Sequence, residues 1–214
     1  MKKFFCCSII ILASCGWIYT QERVIDEASY NELIQKANLF LYKASFRTRT
    51  VVDVCDALNC IWETVERSYT EVESAGKRRH FGEVMGPRGF EPLPEYRIID
   101  DKVYIKQSGA DWKIEQRKPP VIPDPGRSEA KLVFRDLGTE RAGAEDLRLL
   151  TRTAHVHLSA NSTERENIQT IKSWIDPNGY YRKQEFLWTD SRRNTRRTIF
   201  YEFDPSIKIE APIK

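Results

Sequence analysis

The chain has 214 residues, with 34 Lys and Arg against 31 Asp and Glu, 30% charged side chains and a mean hydropathy of -0.54. That composition excludes a polytopic membrane protein, and 11% aromatics with only 10 Gly and 10 Pro exclude a collagen-like or disordered chain. Charge this close to balance gives no reason to expect a nucleic-acid partner.

The first element is an export segment. Met1-Lys2-Lys3 precedes an apolar run over residues 4–13, which is too short to span a bilayer and has the charge pattern of a secretory signal. It ends in Leu12-Ala13-Ser14-Cys15, which resembles the bacterial lipobox, where the cysteine is acylated and becomes the new N-terminus. Ordinary signal cleavage, after Cys15 or further on, is the alternative. On the lipobox reading, residues 1–14 are a lipoprotein signal peptide, 15–25 are a lipidated N-terminus and tether, and 26–214 are the folded domain. The protein is then exported, anchored to a membrane through acylated Cys15, and faces the periplasm or the cell exterior. Cys6 and Cys7 leave with the signal.

Residues 27–43 carry apolar side chains at 30, 33, 34, 37, 41 and 42, with acidic residues early and Lys43 late. This spacing predicts one amphipathic helix with the charge order that its dipole prefers. The rest reads as strand and turn. Residues 46–55 and 60–72 predict a hairpin around Asp56-Ala57-Leu58-Asn59, which puts Cys55 opposite Cys60 in a compartment where disulfides persist. A metal or redox site would need Cys-x-x-Cys spacing or a nearby histidine. The expected register sets Val54 against Ile61, Thr50 against Val65 and Phe46 against Tyr69 on one face. On the other it sets Arg49 against Glu66 and Arg47 against Ser68.

Further strands are expected over residues 77–85, 95–99, 102–106, 111–116, 130–137, 147–158, 168–175, 180–188 and 196–203. Asp176-Pro177-Asn178-Gly179 is a strong turn sequence between two of them. Residues 117–127 hold Pro119, Pro120, Pro123 and Pro125, cannot enter a central strand, and read as an extended flap. About ten or eleven short strands after one helix imply a mainly β chain, either a large antiparallel sheet or a barrel.

The order of motifs is also familiar. The run from Ile98 through Asp100-Asp101 to Lys106, then Trp112, Leu137-Gly138-Thr139-Glu140, Trp174-Ile175-Asp176, Gly179, Arg182-Lys183, Tyr201-Glu202-Phe203-Asp204 and residues 207–212 resemble the LolA/LolB-like lipoprotein superfamily, with its LppX/LprG-type and outer-membrane lipoprotein-sorting members. The resemblance runs from about Tyr30 to the C-terminus. It implies an open antiparallel half-barrel of about eleven strands, with helix on the concave side of an apolar cavity that holds acyl chains. It also implies a non-enzymatic role in carrying or presenting a lipid or lipidated protein, or an envelope sensor module that binds a partner protein. A soluble carrier would lack the anchoring cysteine; Cys15 places this chain nearer the membrane-tethered members.

Candidate cavity residues are Val52, Val54, Ile61, Val65 and Tyr69 of the hairpin, with Trp174, Phe186 and Trp188. Arg192, Arg193, Arg196 and Arg197, at an expected hairpin tip, are candidates for a lipid headgroup or an acidic partner; a solvated loop is the alternative, as it is for Lys77-Arg78-Arg79. No cofactor is expected. His155 and His157 share a strand face, but no third metal ligand can be assigned. No nucleophile elbow or phosphate-binding loop occurs, and a monomer is expected.

Overall fold

The computed structural model describes residues 22–74, 76–117, 130–160, 163–189 and 192–213, without the side chains of 157–166. The signal, Cys15, most of the proline-rich segment and the His157 side chain lie outside the described residues. Among the described residues, no helix is long and apolar enough to cross a membrane.

Helix α1 (Glu27–Lys43) forms where the periodicity places it. Asp26 caps it, accepting from the Ser29 backbone N–H at 2.7 Å and from the Ser29 hydroxyl at 3.0 Å. Tyr30 and Ala37 are buried, and Leu33, Ile34 and Leu41 pack around them. Tyr42, read as part of the apolar stripe, is instead 80% exposed.

The strands are β1 (Arg23–Ile25), β2 (Phe46–Asp56), β3 (Glu63–Val72), β4 (Arg78–Gly86), β5 (Gly89–Pro92), β6 (Glu95–Ile99) and β7 (Lys102–Lys106), then β8 (Lys113–Gln116), β9 (Ala130–Ala142), β10 (Glu145–Ala160), β11 (Thr163–Ile175), β12 (Tyr181–Thr189) and β13 (Arg193–Phe203). They form one 13-stranded sheet in the order β1-β9-β10-β11-β12-β13-β2-β3-β4-β6-β7-β8, with β5 paired to β4. Every pairing is antiparallel. From β1 at one edge the chain passes through α1 to β2 at the centre, meanders out to the β8 edge, crosses to β9 beside β1 and meanders back until β13 pairs with β2. With β1 at one edge and β8 at the other, the sheet is open and is not a closed barrel. Two short strands were not anticipated. β1, expected within the tether, is recruited by β9, with Ile25 opposite Phe134. β5 folds back on β4 through Gly89, which has φ +108°.

The disulfide joins Cys55 to Cys60, but the register of its hairpin differs from expectation. Phe46 faces Val72, Arg47 faces Glu71, Arg49 faces Tyr69 and Val52 faces Glu66; a bulge then brings Asp53 opposite Thr64. Beside the disulfide the register slips by two residues, because Cys60 lies in the connection and not in β3, and the bulge at Val65 adds a third. A slip by an odd number exchanges the two faces of β3, and that carries Tyr69 to the opposite side.

The C-terminal segment is tied back by Glu73, whose buried carboxylate accepts the Ile209 backbone N–H at 3.0 Å while Ile207 and Ile209 are buried. That hydrogen bond, helped by Lys77 and Lys208, holds the Glu73 carboxyl below the usual carboxylate range. A carboxyl with a depressed folded pKa stabilises the fold above its unfolded value and ceases to as the pH falls through its folded one. Acidification from about pH 5 to about pH 3 is therefore expected to loosen residues 207–213 before the sheet. Hydrogen exchange at the Ile209 amide reports it: Glu73→Gln should exchange fast at both pH values, and equal protection of the wild-type amide across the range would refute the link.

Candidate functional site

Strand alternation assigns each side chain to the face under α1 or to the outer face. On the helix side, Leu150 and Tyr181 are almost fully buried and pack with Phe134 and Ile175 beneath Tyr30 and Ala37. The Tyr181 hydroxyl donates to the Asn38 side chain at 3.0 Å, and Phe40 lies on Tyr180 with ring centroids 4.2 Å apart. The Tyr201 hydroxyl donates to Gln184 at 2.6 Å. Burial raises the pKa of both phenols, that of Tyr201 to about 12, so they stay neutral hydrogen-bond donors throughout the physiological range.

The helix leaves a concavity on each flank. One, of about 540 Å³, lies between its N-terminal half and the Asp176 turn and is lined by Glu32, Leu33, Lys36, Arg148 and Leu150 among others. The other, of about 320 Å³, lies beside its C-terminal half. There Asn38, Leu41 and Tyr42 of α1 face Phe46, Thr48 and Thr50 of β2, Thr70 and Val72 of β3, Arg78 of β4, and Arg197, Ile199 and Tyr201 of β13. The Thr70 hydroxyl is 2.9 Å from His80 Nδ1, and the His80 ring stacks on Tyr96. Burial, reinforced by Arg197 and opposed by Glu66, pushes the His80 pKa down, so the ring is neutral there.

Four of the expected cavity residues continue this helix-side face beyond α1. Val52 and Val54 follow Thr50 along β2, with Arg197 and Thr195 opposite them on β13. Across β13, Phe186 lies opposite Arg197 and Trp188 opposite Thr195, their rings stacked with centroids 5.9 Å apart. Ile171, opposite Phe186, extends the strip onto β11. All of these are half-buried.

The other four lie elsewhere. Tyr69 is on the outer face, stacked on Phe81 and 37% exposed. Trp174 is also on the outer face, buried under Lys183, whose ammonium is 4.2 Å from the ring centroid, with its indole N–H on Glu140 at 2.8 Å. Trp174 is three residues from the inward-facing Ile171, so alternation turns it outward. Ile61 is 77% exposed in the disulfide-bonded connection, and Val65 is the unpaired residue of the β3 bulge.

The arginine group divides in the same way. Arg192 is in the β12–β13 connection, while Arg193 begins β13 opposite Asp56. Arg196 is on the outer face, held by Asp53 at 2.9 and 3.1 Å and lying over the Trp62 ring. Arg197 is on the helix side. Lys77-Arg78-Arg79 separates likewise, since Arg78 lines the second concavity and Arg79 bridges Glu71 and Glu95 on the outer face. Thr48 and Thr50 were not anticipated as site residues, whereas Arg78 was anticipated only within Lys77-Arg78-Arg79. Their alternation with Arg47, Arg49 and Arg79 is the signal that could have found them.

Among the described residues, no group of three or more His, Cys, Asp or Glu could hold a metal ion. No family model and no curated protein matches the sequence. Among solved structures, the chain is similar to LprF from Mycobacterium bovis, at 14% identity and a TM-score of 0.45 over 87% of this chain and 98% of that one. It is similar to a domain described as an outer membrane lipoprotein-sorting protein, from Vibrio parahaemolyticus, at 10% identity and a TM-score of 0.30 over 82% and 93% of the two chains. A DUF1329 family protein from Desulfovibrio piger is similar at 8% identity and a TM-score of 0.28, over 85% and 94%. Each is a similarity only, and none assigns this chain a ligand.

Proposed function

We propose that this protein is a non-enzymatic envelope lipoprotein, anchored through Cys15, that holds an acyl chain of a lipid or lipidated protein on the helix-side face of its sheet. The observation that carries the reading is the half-buried strip of Val52, Val54, Ile171, Phe186 and Trp188. It continues the packed core of α1 along the same face of β2, β11 and β12. Arg197 and Thr195 of β13 part Phe186 and Trp188 from Val52 and Val54, so an alkyl chain would lie over apolar patches on both sides of that strand, where each methylene taken from water contributes about 0.8 kcal/mol. The export signal delivers the chain to the compartment where acyl chains must cross between membranes.

The test uses the full chain carrying Cys15→Ser, so that no covalent acyl group competes. Solvent extraction followed by mass spectrometry should release bound lipid, and a fluorescent alkyl probe should bind to the emptied protein. Phe186→Ser with Trp188→Ser should weaken the probe by roughly tenfold or more, because two aromatic contacts are lost. Absence of both extracted lipid and probe binding would overturn the reading.

A further inference from the structure

The arginines of this sheet differ between its two faces. On the outer face Arg47 meets Glu71 at 3.0 Å, Arg79 meets Glu95 at 2.8 Å and Arg196 meets Asp53 at 2.9 Å, while Arg49 lies over the Phe200 ring at 4.6 Å. On the helix side, Arg148 pairs with Asp136 at 2.7 Å. Arg78, Arg152 and Arg197 on that same face have no carboxylate within ion-pair distance among the described residues.

Two of these three, Arg78 and Arg197, line one cavity, the concavity beside the C-terminal half of α1. Its lining contains the Thr48, Thr50 and Thr70 hydroxyls and the Asn38 amide, and no acidic side chain. Glu66, on the same face, is separated from Arg197 by β2 and accepts the Ser68 hydroxyl at 3.2 Å. Arg197 also roots in the apolar strip, directly between Phe186 on β12 and Val52 on β2. A guanidinium beside hydroxyl donors at one end of an alkyl-binding surface matches a planar oxyanion.

We propose that the concavity beside the C-terminal half of α1 is a headgroup site in which Arg197 and Arg78 bind the carboxylate or phosphate of an anionic amphiphile whose tail lies over Phe186, Trp188 and Val54. The proposal rests on the acyl-binding reading and adds the charge class of the ligand.

The full chain with Cys15→Ser is titrated with dansyl-undecanoic acid and with the neutral dansyl-undecanol, in the presence and absence of inorganic phosphate. The acid should bind about tenfold more tightly than the alcohol, as charge-assisted hydrogen bonds require. Arg78→Gln with Arg197→Gln should bring the acid to within about twofold of the alcohol and leave the alcohol unchanged, which also shows that the variant is folded. Equal binding of the two probes by the wild type, or a preference that survives the double substitution, would overturn the headgroup site and leave the acyl reading standing. Failure of both probes would overturn both. Displacement of the acid by inorganic phosphate at equal concentration would make this a free-anion site and overturn the lipid assignment.

Discussion

Asp176→Ala is expected to destabilise the fold by about 3 kcal/mol and to lower the thermal midpoint by roughly 10 °C. Asp176 sits in the turn between β11 and β12 and is 5% exposed. One carboxylate oxygen accepts the Asn178 N–H at 2.9 Å and the Tyr180 N–H at 2.8 Å. The other lies 3.1 Å from the Arg182 guanidinium. Alanine removes the acceptor for two backbone donors and one partner of a half-buried cation, and stranded donors cost about 1–3 kcal/mol each. Arg182 keeps Glu145 at 3.3 Å, which limits the loss. Asp176→Asn retains an acceptor oxygen and should lose less than half as much. A midpoint for the alanine variant within about 2 °C of wild type would show that solvent replaces these bonds.

Ala37→Glu should have the larger effect, about 4 kcal/mol, because a carboxylate would be driven into the packed interface between α1 and the sheet. Ala37 is 0% exposed, within the cluster of Tyr30, Leu150 and Tyr181. Arg152, whose charge acts on the Tyr30 phenol from the same face, is the nearest cation to the cluster and limits the loss. The helix should leave the sheet, so helical circular dichroism should fall and binding of a hydrophobic dye should rise while the strand signal persists. Gln35→Glu, on an exposed turn of the same helix, is the control and should change stability by no more than about 0.5 kcal/mol. Retention of helix and midpoint in Ala37→Glu would mean that α1 is not held by this contact.

Much of the architecture was legible because local chemistry repeats it. The helix over 27–43 carries its own apolar stripe, its Asp26 cap and Lys43 in its last turn. The turn at 176–179 carries both an aspartate acceptor and a glycine at φ +91°, where a Cβ would press against Lys36 and Phe40. The Cys55–Cys60 bridge follows from a short connection between two strands. The site was less legible. Phe186, Trp188, Val52 and Val54 share the helix-side face because residues at every second position of a strand point the same way. Tyr69 and Trp174 were misplaced because an aromatic residue is equally at home stacked on an arginine- or lysine-rich outer surface.

The register of β2 against β3 shows where the limit lies. Both the expected and the observed alignment bring an arginine of β2 opposite a glutamate of β3, Arg49 with Glu66 in one and Arg47 with Glu71 in the other. Pairwise complementarity therefore could not choose between them. The choice is made by a third strand and a fourth, since Arg79 of β4 reaches both Glu71 and Glu95, and Glu95 lies on β6. The sequence by itself determined the helix, the turns, the disulfide and the number of strands to within a few, because those depend on residues close along the chain. Only the tertiary structure decided which face Tyr69, Trp174, Arg78 and Arg197 occupy, because a side chain's face depends on bulges, loop lengths and partners contributed by distant strands.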